Sequence, residues 1–196
     1  MLFLGAGGLF SRGLAVSVPA PDAGVRLAGV GLVALAVWLL RFDVARRTVR
    51  RLGLTRFMAL CLLAGYLWLA AGGVAWATTG ALAGGFSYDA GLHALFLGFV
   101  MSMVMGHAPV IVPAVLRAPV RFGRWFYAHL ALLHASLLLR VVGGDLGANA
   151  TLWRWGGLLN VVAVLWFLGA TAWSTRRPPA VIGVGSRGVQ GESVTD

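Results

Sequence analysis

The sequence predicts an all-α fold, a polytopic transmembrane helix bundle of five spans, and three observations carry that expectation. Of the 196 residues, 59% are hydrophobic and only 11% are charged, with a mean hydropathy of +0.85. A water-soluble domain carries about a quarter charged residues, so this chain lacks the polar surface to coat a globule in water. The apolar residues fall into five runs, 24–40, 57–78, 91–114, 125–142 and 153–173, each close to the roughly 20 residues that a spanning helix needs. The charge between these runs alternates in sign.

Taken in order, the first run is the shortest, and Arg26 near its start has to snorkel toward the headgroups. The segment RFDVARRTVRRLGLTR (41–56) holds six arginines, RAPVRFGR (117–124) three and STRRPP (174–179) two. By contrast, 79–91 and 143–151 hold no arginine and one aspartate each. Arginine-rich loops stay cytoplasmic. The 41–56 and 115–124 loops and the C-terminus are therefore expected on the cytoplasmic side of a bacterial inner membrane, and the 79–90 and 143–152 loops outside. Trp38, Trp125 and Trp173 fall near inner ends and Trp76, Trp153 and Trp155 near outer ends, as interfacial anchors do. Trp68 and Trp166 lie mid-span, where packing is the expected role.

The transmembrane domain is read as 21–179. Residues 1–20 are apolar but interrupted by Ser11-Arg12-Gly13 and lack a basic leader region, which argues against a cleaved signal peptide. They read as an interfacial or re-entrant segment, or as part of a sixth span. The tail 180–196 is rich in Gly, Val and Ser and is expected to be disordered. Its VGSRGVQG is no phosphate loop, lacking the flanking strand and helix and the GK[ST] ending. A sequence pI near 11.7 would suggest nucleic acid in a soluble protein. Here the arginines sit between apolar spans, so the expected partner is the lipid bilayer, with no nucleic acid. The single Cys61 lies within a span and excludes a disulfide framework.

Chemistry concentrates in the histidines. All four of them, His93, His107, His129 and His134, belong to the third and fourth runs, and no acidic residue falls inside any of the five. Without intramembrane carboxylates a proton or sodium carrier is disfavoured, and neither HExxH nor a Ser/His/Asp set is written here. Neutral imidazole, the commonest metal ligand, remains. His93 and His107 are 14 positions apart, which on a straight helix is about 40° of rotation and roughly 21 Å of rise. They share a stripe with Val100 and Val104 and would serve two separate sites, an arrangement similar to that of di-haem b-type cytochromes.

His107 is expected about 10 Å from the inner face, between His129 at about 6 Å and His134 at about 13 Å. A haem b held by His107 and one of these two is therefore geometrically open. Five residues, or about 140°, separate His129 from His134, so both cannot point at one atom. Arg140 suits a haem propionate, or a lipid headgroup. The metal candidates are His93, His107 and His134, with copper an option at His93. Met101, Met103 and Met105 raise a thioether copper site, but only Met103 shares a side with His107, and packing is their expected role. Gly98 and Gly106 form a small-residue face opposite the histidines, suited to close helix packing, and Asn160 is expected to hydrogen-bond between helices. The bland readings are that His107 answers carbonyls freed by Pro109 and that His93 and His129 are interfacial.

The stretch HALFLGFVMSMVMGHAPVIVPAV resembles the membrane motif of NnrS-type proteins, polytopic bacterial haem- and copper-associated proteins linked to nitric oxide stress. The match runs through His93, Gly98-Phe99, Gly106 and Pro113, and covers residues 93–115 of the chain. The resemblance implies His93 as the ligand. It does not extend to His107, which stands where that pattern has an apolar residue, and the family has about twice as many spans.

The resulting expectation is an integral inner-membrane protein that binds haem b, or copper, for electron transfer or for handling a small oxidant such as nitric oxide. A redox partner or membrane subunit would accompany it, and whether it is an enzyme stays open. The alternative is a cofactor-free membrane subunit or scaffold. A small-solute transporter built on the Pro/Gly-broken third helix is weakened by the missing carboxylates.

Overall fold

The computed structural model describes residues 5, 7–12, 21–80, 85–117 and 122–176, and their regular structure is helical throughout. Helix α1 (Pro21–Phe42) is followed by the single turn α2 (Ala45–Thr48) and by α3 (Leu54–Thr79). The third span joins α4 (Phe86–His93), a π-helical segment π1 (Ala94–Val100) and α5 (Met101–Leu116). The fourth joins α6 (Phe126–Leu138) to π2 (Leu139–Leu146), and α7 (Ala150–Arg176) is the fifth. Five helices are long and apolar enough to cross a membrane: Pro21–Phe42, Leu54–Thr79, Ser87–Leu116, Phe126–Leu146 and Ala150–Thr175. The tail 180–196 and most of 1–20 lie outside the described residues.

Burial follows the lipid logic. Large apolar side chains such as Phe96, Val100, Val104, Ile111 and Leu165 face outward, while Ser102, His129, Ser136, Asp145 and Asn160 are buried. Trp166, expected to pack inside, belongs to the outward belt; its span turns that face to lipid.

Helix α1 lies along α3, and glycine sets the distance: a Cβ on Gly29 would stand 2.6 Å from the Gly73 carbonyl oxygen. Small residues let helix backbones meet where no hydrophobic force separates helix from lipid. At the end where α1 stops and α3 starts, Phe57, Met105, Phe126, Leu133 and Phe167 form a core joining spans two to five. That end carries Arg41, Arg46, Arg47, Arg50, Arg51 and Arg56, and is called here the arginine-rich end.

The opposite end differs from the sequence expectation. The i→i+5 bonds of a π segment put an extra residue into each turn. Met101 N–H donates to Phe96 O at the end of π1, and the amides of Gly147 and Asn149 donate to Val142 O and Gly144 O at 3.0 and 3.2 Å. Span four therefore continues through Leu146, and the expected 143–152 loop shrinks to residues 147–149. Asn149 then caps α7, its Oδ1 accepting from the amides of Thr151 and Leu152 at 3.0 and 3.1 Å, as an N-cap side chain does. Helix α4 likewise starts five residues ahead of the apolar run, at Phe86. The expectation of spans without acids is thereby corrected, because Asp89 and Asp145 lie inside the third and fourth.

Candidate functional site

The two drawn-in aspartates build a polar cluster at the end opposite the arginines. Asp89 sits one turn before His93, and its carbonyl oxygen lies 2.8 Å from His93 Nδ1. A carbonyl only accepts, so Nδ1 carries the hydrogen and the neutral ring keeps Nε2 as an acceptor. The Asp89 carboxylate reinforces the same nitrogen at 3.3 Å. Its other oxygen accepts from Arg140 Nη2 at 2.6 Å and from Trp153 Nε1 at 3.2 Å. The guanidinium of Arg140 also lies over the Trp153 ring, 4.6 Å from its centroid, a cation–π contact. Asp145 is buried with both carboxylate oxygens unpartnered, and Arg140 Nε is unpartnered too. A Cβ on Gly156 would stand 2.6 Å from Arg140 Cβ, and one on Gly157 2.6 Å from Arg140 Nη1. Only glycines let α7 come this close to Arg140.

A groove of about 440 Å³ opens beside this cluster, between the third span and α7. His93, Leu97, Arg140, Gly157 and Asn160 line it, together with the apolar Val161, Val164 and Leu165 of α7. Its volume falls in the range of small-molecule and cofactor sites. Among its lining residues, Arg140 and Asn160 each carry a buried, unpartnered nitrogen, Nε and Nδ2. Asn160 makes the expected interhelical bond with its other atom, since Ser136 Oγ donates to Oδ1 at 2.6 Å.

The remaining histidines go elsewhere. His134 receives the Trp68 indole N–H on Nδ1 at 3.0 Å. Indole nitrogen only donates, so the ring hydrogen is on Nε2, which faces Ser102 Oγ at 3.5 Å. Ser102 in turn donates to Gly98 O at 2.5 Å. Both nitrogens of His134 thus face protein partners. His107 Nδ1 donates to Met103 O at 2.8 Å. Pro109 frees the carbonyl of Met105, so the bland reading of His107 names the wrong acceptor. Ser102, which faces His134, is five residues before His107 in α5, about 140° around that helix. The structure therefore does not turn His107 and His134 toward a common gap.

His129 is fully buried and packs edge-on against Phe57, Phe126 and Phe167 with centroids 5.4–6.2 Å away, neither ring nitrogen bonded. It is a core residue, not an interfacial one. Among the described residues no three His, Cys, Asp or Glu side chains converge to hold a metal ion.

The stripe of Val100 and Val104 faces outward, exposed 43% and 45%. The opposite side packs as expected: Gly98 meets the Trp68 ring, and Gly106 meets Cys61, whose Cβ would be 2.9 Å from an added Cβ. Met105 is core and Met103 packs on Gly65. Sequence reasoning missed Asp89, Asp145, Trp153, Trp68 and Ser102. Of these, only Asp89 left a signal, its i,i+4 spacing from His93.

This chain belongs to the family described as domain of unknown function DUF8744, whose model matches residues 1–176. No curated protein and no solved structure matches it.

Proposed function

We propose that this DUF8744 protein binds haem b in the groove at its acidic end, where His93 would hold the iron, and that it handles a small diatomic gas or oxidant. One observation carries the reading. His93 is fixed through Nδ1 by Asp89 and lines a groove that Arg140 and Asn160 also line. Metal-binding histidines characteristically donate their other N–H to a carbonyl or carboxylate, which sets the tautomer and raises ligand basicity. The guanidinium of Arg140, a lining residue, is the type of group suited to a propionate carboxylate. Haem brings four nitrogen ligands of its own, so it needs no protein cage, whereas a copper ion does; haem is therefore favoured over copper.

With one histidine in the lining, haem iron would keep an open position where a diatomic molecule can bind, which favours gas or oxidant handling over electron transfer. The apolar wall from α7 excludes water from that side of the groove. The resemblance of residues 93–115 to the NnrS membrane motif points to the same histidine. We place the arginine-rich end in the cytoplasm of a bacterial inner membrane, on the charge asymmetry alone.

The test is a reduced-minus-oxidised spectrum of the detergent-purified protein, expressed with iron, copper and haem precursor, with carbon monoxide added to the reduced form. A haem b band that shifts with carbon monoxide and vanishes in His93→Ala is expected, while His107→Ala and His134→Gln keep it. A band that survives His93→Ala overturns the ligand, and a colourless protein favours the cofactor-free membrane subunit.

A further inference from the structure

The arginine-rich end holds a second, open concavity, unrelated to the histidines. A pocket of about 560 Å³ is lined by Arg41, Phe42, Asp43, Arg46, Arg47 and Arg50. Four arginines thus share the lining with one aspartate, whose carboxylate is already engaged. Asp43 Oδ1 accepts from the Ala45 amide at 2.6 Å, and Oδ2 accepts from Tyr66 O–H at 3.0 Å. These bonds fix the 43–48 turn, and Arg46 Nη1 donates to Arg41 O at 3.1 Å across it. Among the described residues, no ion pair neutralises these four arginines. A fixed concavity with several excess positive charges calls for an anion bearing more than one negative charge.

The pocket continues into an apolar groove. Ala34, Val37, Trp38, Arg41 and Phe42 line a further space of about 430 Å³ along α1, and Arg41 and Phe42 belong to both. Ala34, Val37, Trp38 and Arg41 follow i, i+3, i+4, i+7, one face of a helix. Val37 and Phe42 on that face are exposed, and the Trp38 and Phe42 rings stand 6.0 Å apart. A polyanion pocket at the membrane boundary that opens onto a lipid-facing apolar groove matches one molecule type: a charged head with acyl chains.

We propose that Arg41, Arg46, Arg47 and Arg50, with the Ala34–Phe42 groove, bind an anionic phospholipid, most tightly one with two phosphates. A direct guanidinium–phosphate contact worth about 1 kcal/mol strengthens binding about five-fold, so neutralising two of the four weakens it roughly thirty-fold.

Native mass spectrometry of the full chain in detergent, titrated with cardiolipin, phosphatidylglycerol and phosphatidylcholine, tests this. Retention is expected to fall in that order. Arg46→Gln/Arg47→Gln should weaken cardiolipin roughly thirty-fold, while Arg51→Gln/Arg56→Gln, which removes equal charge outside the pocket, changes it only a few-fold. Ala34→Phe, which fills the groove, should weaken cardiolipin and leave pyrophosphate binding unchanged. Equal losses in the two double variants would show diffuse attraction and overturn the site. Pyrophosphate binding as tight as cardiolipin, with no effect of Ala34→Phe, would make it a site for a free anion and overturn the lipid.

Discussion

Replacing Asp89 by asparagine removes the negative charge that Arg140 meets at 2.6 Å and leaves the side-chain shape intact. The side chains are 10% and 31% exposed for Arg140 and Asp89 respectively, so the pair is buried on the cation side. Removing one partner of a fully buried pair costs about 3–5 kcal/mol because the other charge is stranded. Two features lower that figure here. Asp89 keeps some access to the boundary, and the substituted amide retains an oxygen that can still accept from Arg140 and Trp153. A loss of about 2 kcal/mol is the outcome to expect. Arg140→Met should cost more, about 3 kcal/mol, because it strands the Asp89 carboxylate beside the unpartnered Asp145. The double variant should cost less than the sum of the singles by about 1–2 kcal/mol, the signature of direct coupling. Unfolding in mixed detergent–dodecyl sulfate micelles, followed by tryptophan fluorescence, gives all three values. The reasoning fails if Asp89→Asn stays within about 0.5 kcal/mol of wild type, or if the two single costs simply add.

Three further outcomes follow from the same contacts. His129→Phe should raise stability by about 1 kcal/mol, read as a higher melting temperature, since it removes two unbonded buried nitrogens from a cage of phenylalanines; a fall instead would show that His129 has a hydrogen-bond partner. Trp68→Phe should lower stability by about 1 kcal/mol by leaving His134 Nδ1 unpaired, without altering any haem band. Gly156→Ala should destabilise by about 1–3 kcal/mol, although alanine is the better helix former by about 1 kcal/mol, because the added Cβ meets Arg140; a stabilised Gly156→Ala would mean that α7 and π2 are not in contact.

The five spans were legible because hydropathy needs no knowledge of neighbours. Their ends at the acidic side were not. Asp89 and Asp145 look like loop residues until Arg140 and Trp153, on other helices, supply the charge and the N–H that hold Asp89. An ion pair across helices leaves no trace in a local window. The small-residue face of Gly98 and Gly106 was readable. Its opposition to both histidines was not, because that assumed one straight helix through 94–100; glycine draws its own side into the bundle and leaves Val100 and Val104 to lipid.

Pairing His107 with His134 assumed idle imidazoles, but Met103 O holds His107 Nδ1 and Trp68 occupies His134. The i→i+5 turn of 94–100 lies between His93 and His107 and changes their relative phase. Of the candidate site, His93 and Arg140 were in reach of the sequence. That Asp89 links them, through His93 Nδ1 and Arg140 Nη2, needed the fold.

The most direct measurement is the carbon monoxide difference spectrum of the reduced, detergent-purified protein and of its His93→Ala variant, recorded side by side. The account predicts a haem b band in the wild type that moves on adding carbon monoxide, and no band in the variant at equal protein. An unshifted band in the wild type, or the same band in His93→Ala, contradicts a single-histidine haem at the acidic end.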